Sequence, residues 1–89
     1  MAYSEVIYTV KDLERLRGEL SHFIDNVKQD GRTMLQEAEG VGLYWNDDQY
    51  RQFLRYMESL NKALGDCAKQ LSKSNDNLNE FIVALLADV

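Results

Sequence analysis

Gly40-Val41-Gly42-Leu43-Tyr44-Trp45-Asn46-Asp47-Asp48-Gln49 is the stretch on which the fold of this chain turns. It holds the single tryptophan and two of the five glycines, and it ends in a cluster of helix-starting residues. A long helical pattern lies on each side, so the stretch reads as the turn of a helical hairpin. Gly40 is expected to end the first helix in the left-handed conformation that glycine adopts without strain. Asn46 fits the N-cap of the second helix, with Gln49 completing a capping-box-like pair and Trp45 and Tyr50 in the staple positions. Asp47 and Asp48 then fall in the first turn, where carboxylates favour the positive end of the helix dipole.

Downstream, apolar residues recur at Tyr50, Phe53, Met57, Leu60, Leu64, Cys67, Leu71, Leu78, Phe81 and Leu85, with Ser74 the one polar member. Spacing that alternates three and four is that of a heptad coiled-coil seam. Residues 47–86 as one helix span about 60 Å at 1.5 Å per residue. Ser72-Lys73-Ser74-Asn75-Asp76-Asn77 is its weakest stretch by propensity. The unchanged heptad phase beyond it predicts a continuous helix; the alternative is a break near Asn75 with Asn77 capping a short final helix.

Upstream, Leu13, Leu16, Leu20, Phe23, Ile24, Val27, Met34, Leu35 and Ala38 keep helical spacing for about seven turns. Thr9 with Asp12 approximates a capping box, and Tyr8 with Leu13 a staple, which places the helix start near residue 10. Residues 1–9 stay ambiguous between helix and extended chain because Val6-Ile7-Tyr8-Thr9-Val10 is β-branched. Gly31 falls on the apolar stripe and reads as a point where another helix approaches closely, whereas Gly18 is a weak point or a second such contact. The fold class is therefore all-α: one domain, residues 1–89, an antiparallel hairpin of helices at about 10–39 and 47–86, assembling as a four-helix-bundle dimer.

Folding back around residue 43 pairs positions whose numbers sum to about 86 for equal helical rises. Gly31 then meets Arg55, Phe23 meets Ala63, Gly18 meets Ala68 and Thr9 meets Asn77. A first helix that starts at Thr9 leaves Leu78, Phe81, Ile82, Leu85 and Leu86 uncovered. An end so apolar is covered in a folded protein, either by Tyr3, Val6, Ile7 and Tyr8 extending the first helix or by another chain. Two helices also leave each apolar stripe half open, which is why a dimer or a complex is expected. Phe53, Met57, Leu60, Leu64, Leu71, Leu78, Phe81, Ile82 and Leu85 are the candidate partner-facing residues.

Composition narrows the function. The net charge of −5 and pI near 4.7 argue against nucleic acid as the partner, since phosphate neutralisation needs clustered cations. Arg55, Lys62 and Lys69 repeat every seven residues, but Glu58 and Asp66 among them make a salt-laced solvent face. No apolar run is long enough for a membrane span. Met1-Ala2-Tyr3-Ser4-Glu5 has no basic region followed by an apolar one, so no Sec-type signal peptide is expected. Cys67, the lone cysteine, forms no internal disulfide and reads as a small buried hydrophobe on the seam. Glu19 and His22 match the Glu-x-x-His element of di-iron bundles, but the element occurs once and Leu20 beside it takes the apolar stripe. A solvated flank is the plainer reading, and no metal ligand, cofactor or catalytic constellation is assigned.

A hairpin of this length with Trp45 in the turn and Phe53 eight residues later resembles the WXG superfamily, small helical-hairpin proteins of type VII (ESX-type) secretion. Tyr50, Met57 and Leu60 continue its expected stripe. Gly40, Gly42, Trp45, Asn46 and Asp47 form the turn motif, with Asp47 where the family usually has glycine. The family's C-terminal export signal, a Tyr followed four residues later by an acid, is not found. Tyr8 with Asp12 and Tyr44 with Asp48 have the spacing in other places. The resemblance implies a non-enzymatic interaction protein that pairs with itself or a related hairpin and leaves the cell without a cleaved Sec signal. It would be secreted with, or chaperone, a larger secreted effector that carries the export signal. The alternative is a cytosolic helical adaptor or structural coiled coil unrelated to export.

Overall fold

The β-branched run at the amino terminus is helical. The computed structural model describes residues 2–88, in which α1 (Tyr3–Val41) and α2 (Asp48–Ala87) form a helical hairpin. Thr9 does not cap α1. It lies inside it, its hydroxyl donating to the Glu5 carbonyl at 2.8 Å, the back-bond that lets threonine sit in a helix. What overrides the extended propensity is burial: Val6 is 3% exposed. Two further boundaries differ from expectation. α1 continues through Gly40 to Val41, and no residue of either helix or the turn has a positive φ, so Gly40 is not a left-handed cap.

The helices pair in two compact units, a turn unit of Asp25–Lys69 and a terminal unit of Met1–Ile24 with Gln70–Val89. In the turn unit Gly31 is buried against α2. A Cβ on it would stand 2.9 Å from Asn61 Oδ1 and 3.3 Å from Leu64 Cδ1, so the missing side chain sets the helix spacing there. Close approach at Gly31 was legible, but its partner is Asn61 rather than Arg55. The difference comes from the connection. The later ends of the connection, Val41 and Asp48, shift the fold-back centre in the same direction as the Gly31–Asn61 pairing, which places it at residue 46 rather than 43. Gly18, expected beside Ala68, has no neighbour within 4 Å of where a Cβ would stand.

The seam of α2 is correspondingly different. Tyr50, Leu54, Met57, Asn61, Leu64, Ala68, Leu71, Asn75, Leu78, Ile82 and Leu85 are buried or half-buried and alternate four and three, with Phe53, Gly65, Ser72 and Asn79 half-buried beside them. The column of Tyr50, Met57, Leu64, Leu71, Leu78 and Leu85 is where expectation put it. Its companion column lies one residue later than expected, so Leu60, Cys67, Ser74 and Phe81 face outward and Phe53 is half-buried. Cys67 in particular is exposed rather than buried. The reason is steric. Adjacent columns are about 100° apart on a helix, and it is Asn61, whose polarity disguised it, that meets Gly31 of α1 together with Leu64.

In the terminal unit the amino-terminal turns of α1 cover only part of Leu78–Leu86: Ile82 is buried and Leu78 and Leu85 are half-buried, while Phe81 and Leu86 stay exposed. Val6 and Ile82 are almost fully buried, while Tyr3 and Tyr8 point outward. Asn75 is 9% exposed, and α2 passes through it unbroken, held by its seam neighbours Leu71 and Leu78. This layer is polar: Arg17 Nε and Asn75 Oδ1 are both shielded from solvent and both without a hydrogen-bond partner. Polar groups at a seam cost stability where hydrophobes would add it.

Candidate functional site

Three consecutive capping-type residues, Asn46, Asp47 and Asp48, stand at the start of α2. Asp47 is the cap: its Oδ1 accepts the Tyr50 amide at 2.9 Å, and helix begins at the next residue. Asn46, expected in that role, lies one residue outside. The Tyr50 amide above all, then the Trp45 indole N–H and the Gln49 amide, hold the Asp47 carboxyl below the ordinary carboxylate range. A depressed pKa means stability present above the unfolded-state value and lost as pH falls through the folded one. An acid titration of thermal stability should therefore show the wild-type chain losing an increment below the usual carboxylate range that Asp47→Asn, which caps without titrating, does not lose.

Tyr50 joins the two helices. It is 8% exposed, and its hydroxyl donates a proton shared between the Ala38 and Glu39 carbonyls, each 3.2 Å away. Those carbonyls belong to the last turn of α1, where helical amides run out. Gly42 makes room for this contact, since a Cβ there would stand 2.6 Å from the Tyr50 oxygen. Tyr50→Phe should cost about 1 kcal/mol, read as a lower denaturation midpoint with the helix content unchanged. Trp45 packs edge-on to Tyr50 at 5.5 Å between ring centroids and tilted on Phe53 at 5.8 Å, closing an aromatic cluster over the turn. Leu43 and Tyr44 lie outside it, 90% and 82% exposed.

Beyond the cluster, the outer face of α2 in the turn unit is apolar. Phe53, Tyr56, Leu60, Ala63 and Cys67 share one side of the helix at spacings of three and four, and all but half-buried Phe53 are exposed. Tyr56 and Ala63 were not read as interaction residues. Their three-and-four spacing against Phe53, Leu60 and Cys67 was the available signal, but it competes with the stronger inner pattern. Of the expected partner-facing residues, Leu60 and Phe81 are open to solvent. Met57, Leu64, Leu71, Leu78 and Leu85 are half-buried in the hairpin seam, and Ile82 is wholly consumed by it.

Glu19 and His22 are exposed, and no group of three or more His, Cys, Asp or Glu side chains is placed to hold a metal among the described residues. No helix among the described residues is long and apolar enough to cross a membrane. Comparison with family models, curated proteins and solved structures finds no match.

Proposed function

We propose that the protein is a non-enzymatic interaction module that works by pairing the outer face of its hairpin with another helical protein. In its narrower form this is a WXG-like secretion partner or chaperone for a type VII effector, exported without a Sec signal. The observation that carries the pairing role is the outward apolar face on α2, with Tyr56 64% and Leu60 44% exposed although the hairpin seam is already filled by its neighbours. Large exposed side chains in register on one helix mark a contact surface rather than a random surface residue. The aromatic lock over the turn supports the WXG-like form, because Trp45, Tyr50 and Phe53 meet as one cluster. Asp47, in place of the family's usual glycine, has its own task as helix cap.

The export reading is tested by following the chain in its native host with the type VII apparatus intact and disrupted. Uncleaved protein in the medium that disappears on disruption is the expected result. Protein held in the cytosol under both conditions would leave the pairing role and remove the secretion role.

A further inference from the structure

The terminal unit carries its weakest features side by side. Arg17 Nε and Asn75 Oδ1 are shielded from water and have no hydrogen-bond partner. Both residues line one cleft of about 230 Å³, together with Glu14, Gly18 and Ser21. Gly18 adds no packing there, since nothing lies within 4 Å of where its Cβ would stand, and it weakens α1 by propensity. On the α2 side, Asn75 sits within Ser72-Lys73-Ser74-Asn75-Asp76-Asn77, a run of residues that favour turns and caps over helix interiors. The Arg17–Glu14 ion pair, 3.7 Å long and partly in water, adds little. The tip of the same unit is different in kind. Val6 is 3% and Ile82 1% exposed, with Ile7, Val10, Leu78 and Leu85 half-buried.

We propose that this order is a latch: the terminal unit, Met1–Ile24 with Gln70–Val89, opens and closes in one step while the turn unit, Asp25–Lys69, stays paired. The apolar tip resists fraying from the helix ends inward. Once it releases, the polar layer does not hold, because opening hydrates two groups that the closed state leaves unsatisfied. Sequence distance sets which unit depends on which. Tyr50 reaches the Ala38 and Glu39 carbonyls across a short connection, whereas Val6 and Ile82 lie nearly the whole chain apart. Without the turn unit the terminal contacts would have to close a long loop unaided, so they form last and are lost first. Opening bares Val6, Leu78, Ile82 and Leu85 as two amphipathic tails and leaves the outer face of α2 in the turn unit as it was. The latch stands apart from the pairing and export roles and does not depend on either.

Amide hydrogen exchange of the full chain, followed by mass spectrometry at low micromolar concentration and corrected for unfolded-chain rates, reads the opening directly. Circular dichroism checks that each variant stays helical. In wild type, residues 3–16 and 76–87 should share one corrected rate, at least tenfold faster than that of residues 27–38 and 50–64. Asn75→Leu removes one of the unsatisfied groups and should slow both terminal segments together by about tenfold, out to their tips. Gly18→Ala strengthens the same layer without touching the seam and should slow the same segments by about fivefold. Slowing confined to residues beside each substitution, with protection rising smoothly from the tips inward, is ordinary fraying and overturns the latch. Terminal and turn segments that exchange at the same rate overturn it too, since the hairpin then opens only as a whole.

Discussion

Ile82→Ala should remove about 3 kcal/mol of stability, within the 2–5 kcal/mol typical of buried isoleucine truncations. Ile82 is 1% exposed and is the largest fully buried side chain among the described residues. It packs in the terminal unit, where Val6 is also nearly fully enclosed and the polar Arg17 and Asn75 groups add nothing to apolar burial. The wall around the lost methyls is helical on both sides and has little freedom to collapse inward. In a domain of this size, about 3 kcal/mol lowers the melting temperature by roughly 12–24 °C. Phe81, one residue earlier and larger, is 58% exposed, so Phe81→Ala should stay within about 0.5 kcal/mol of wild type. Thermal and urea denaturation of the pair at low concentration reads the order directly. A larger cost for Phe81→Ala would mean that the seam runs through the other column.

Gly31→Leu should be nearly as damaging, by about 2–3 kcal/mol. Even the first carbon of that side chain stands 2.9 Å from Asn61 Oδ1 and 3.3 Å from Leu64 Cδ1. Asn61 can swing aside for one atom, but four carbons drive the helices of the turn unit apart and strip contact from the seam on both sides. Gly18 is the control. It is also a mid-helix glycine, but nothing lies within 4 Å of its Cβ position, so Gly18→Ala should gain about 1 kcal/mol from helix propensity alone. Opposite signs at two glycines of one helix separate close approach from mere flexibility. A Gly31→Leu variant as stable as wild type would show that the helices are not held together at that point.

The distinction between these residues also shows what could be read beforehand. Helical hairpin, turn and close approach at Gly31 all follow from spacing and propensity, because period and punctuation are local properties. The cover over Leu78–Leu86 was legible as a need with two solutions, and burial of Val6 and Ile82 meets it in part, with Phe81 and Leu86 still exposed. Choosing between Phe53, Leu60, Cys67, Phe81 and their neighbours Leu54, Asn61, Ala68, Ile82 was a different problem. The first set is the more apolar, yet it faces outward, since what decides the seam is the shape of α1 opposite it. Asn61 and Leu64 are the residues that meet Gly31, and no property of α2 alone reveals that. The cap was missed for a related reason: Asn46, Asp47 and Asp48 are chemically equivalent starts, and only the geometry of the turn selects Asp47. The apolar surplus that looked like one stripe is an inner seam and an exposed outer face on one helix.

The inner seam and the outer face are separable by one substitution. Leu60→Asp places a charge in the outer face while leaving the inner seam of Met57, Asn61 and Leu64 untouched. Sedimentation equilibrium of wild type and Leu60→Asp, from about 10 μM to several hundred micromolar, with the melting curve of each, is the most direct measurement. Wild type should rise with concentration from the 10.3 kDa chain mass toward twice that value, and Leu60→Asp should stay at 10.3 kDa with its low-concentration melting temperature unchanged. A Leu60→Asp variant that unfolds, or one that associates as the wild type does, would contradict the assignment of the outer face as a surface distinct from the hairpin's own core.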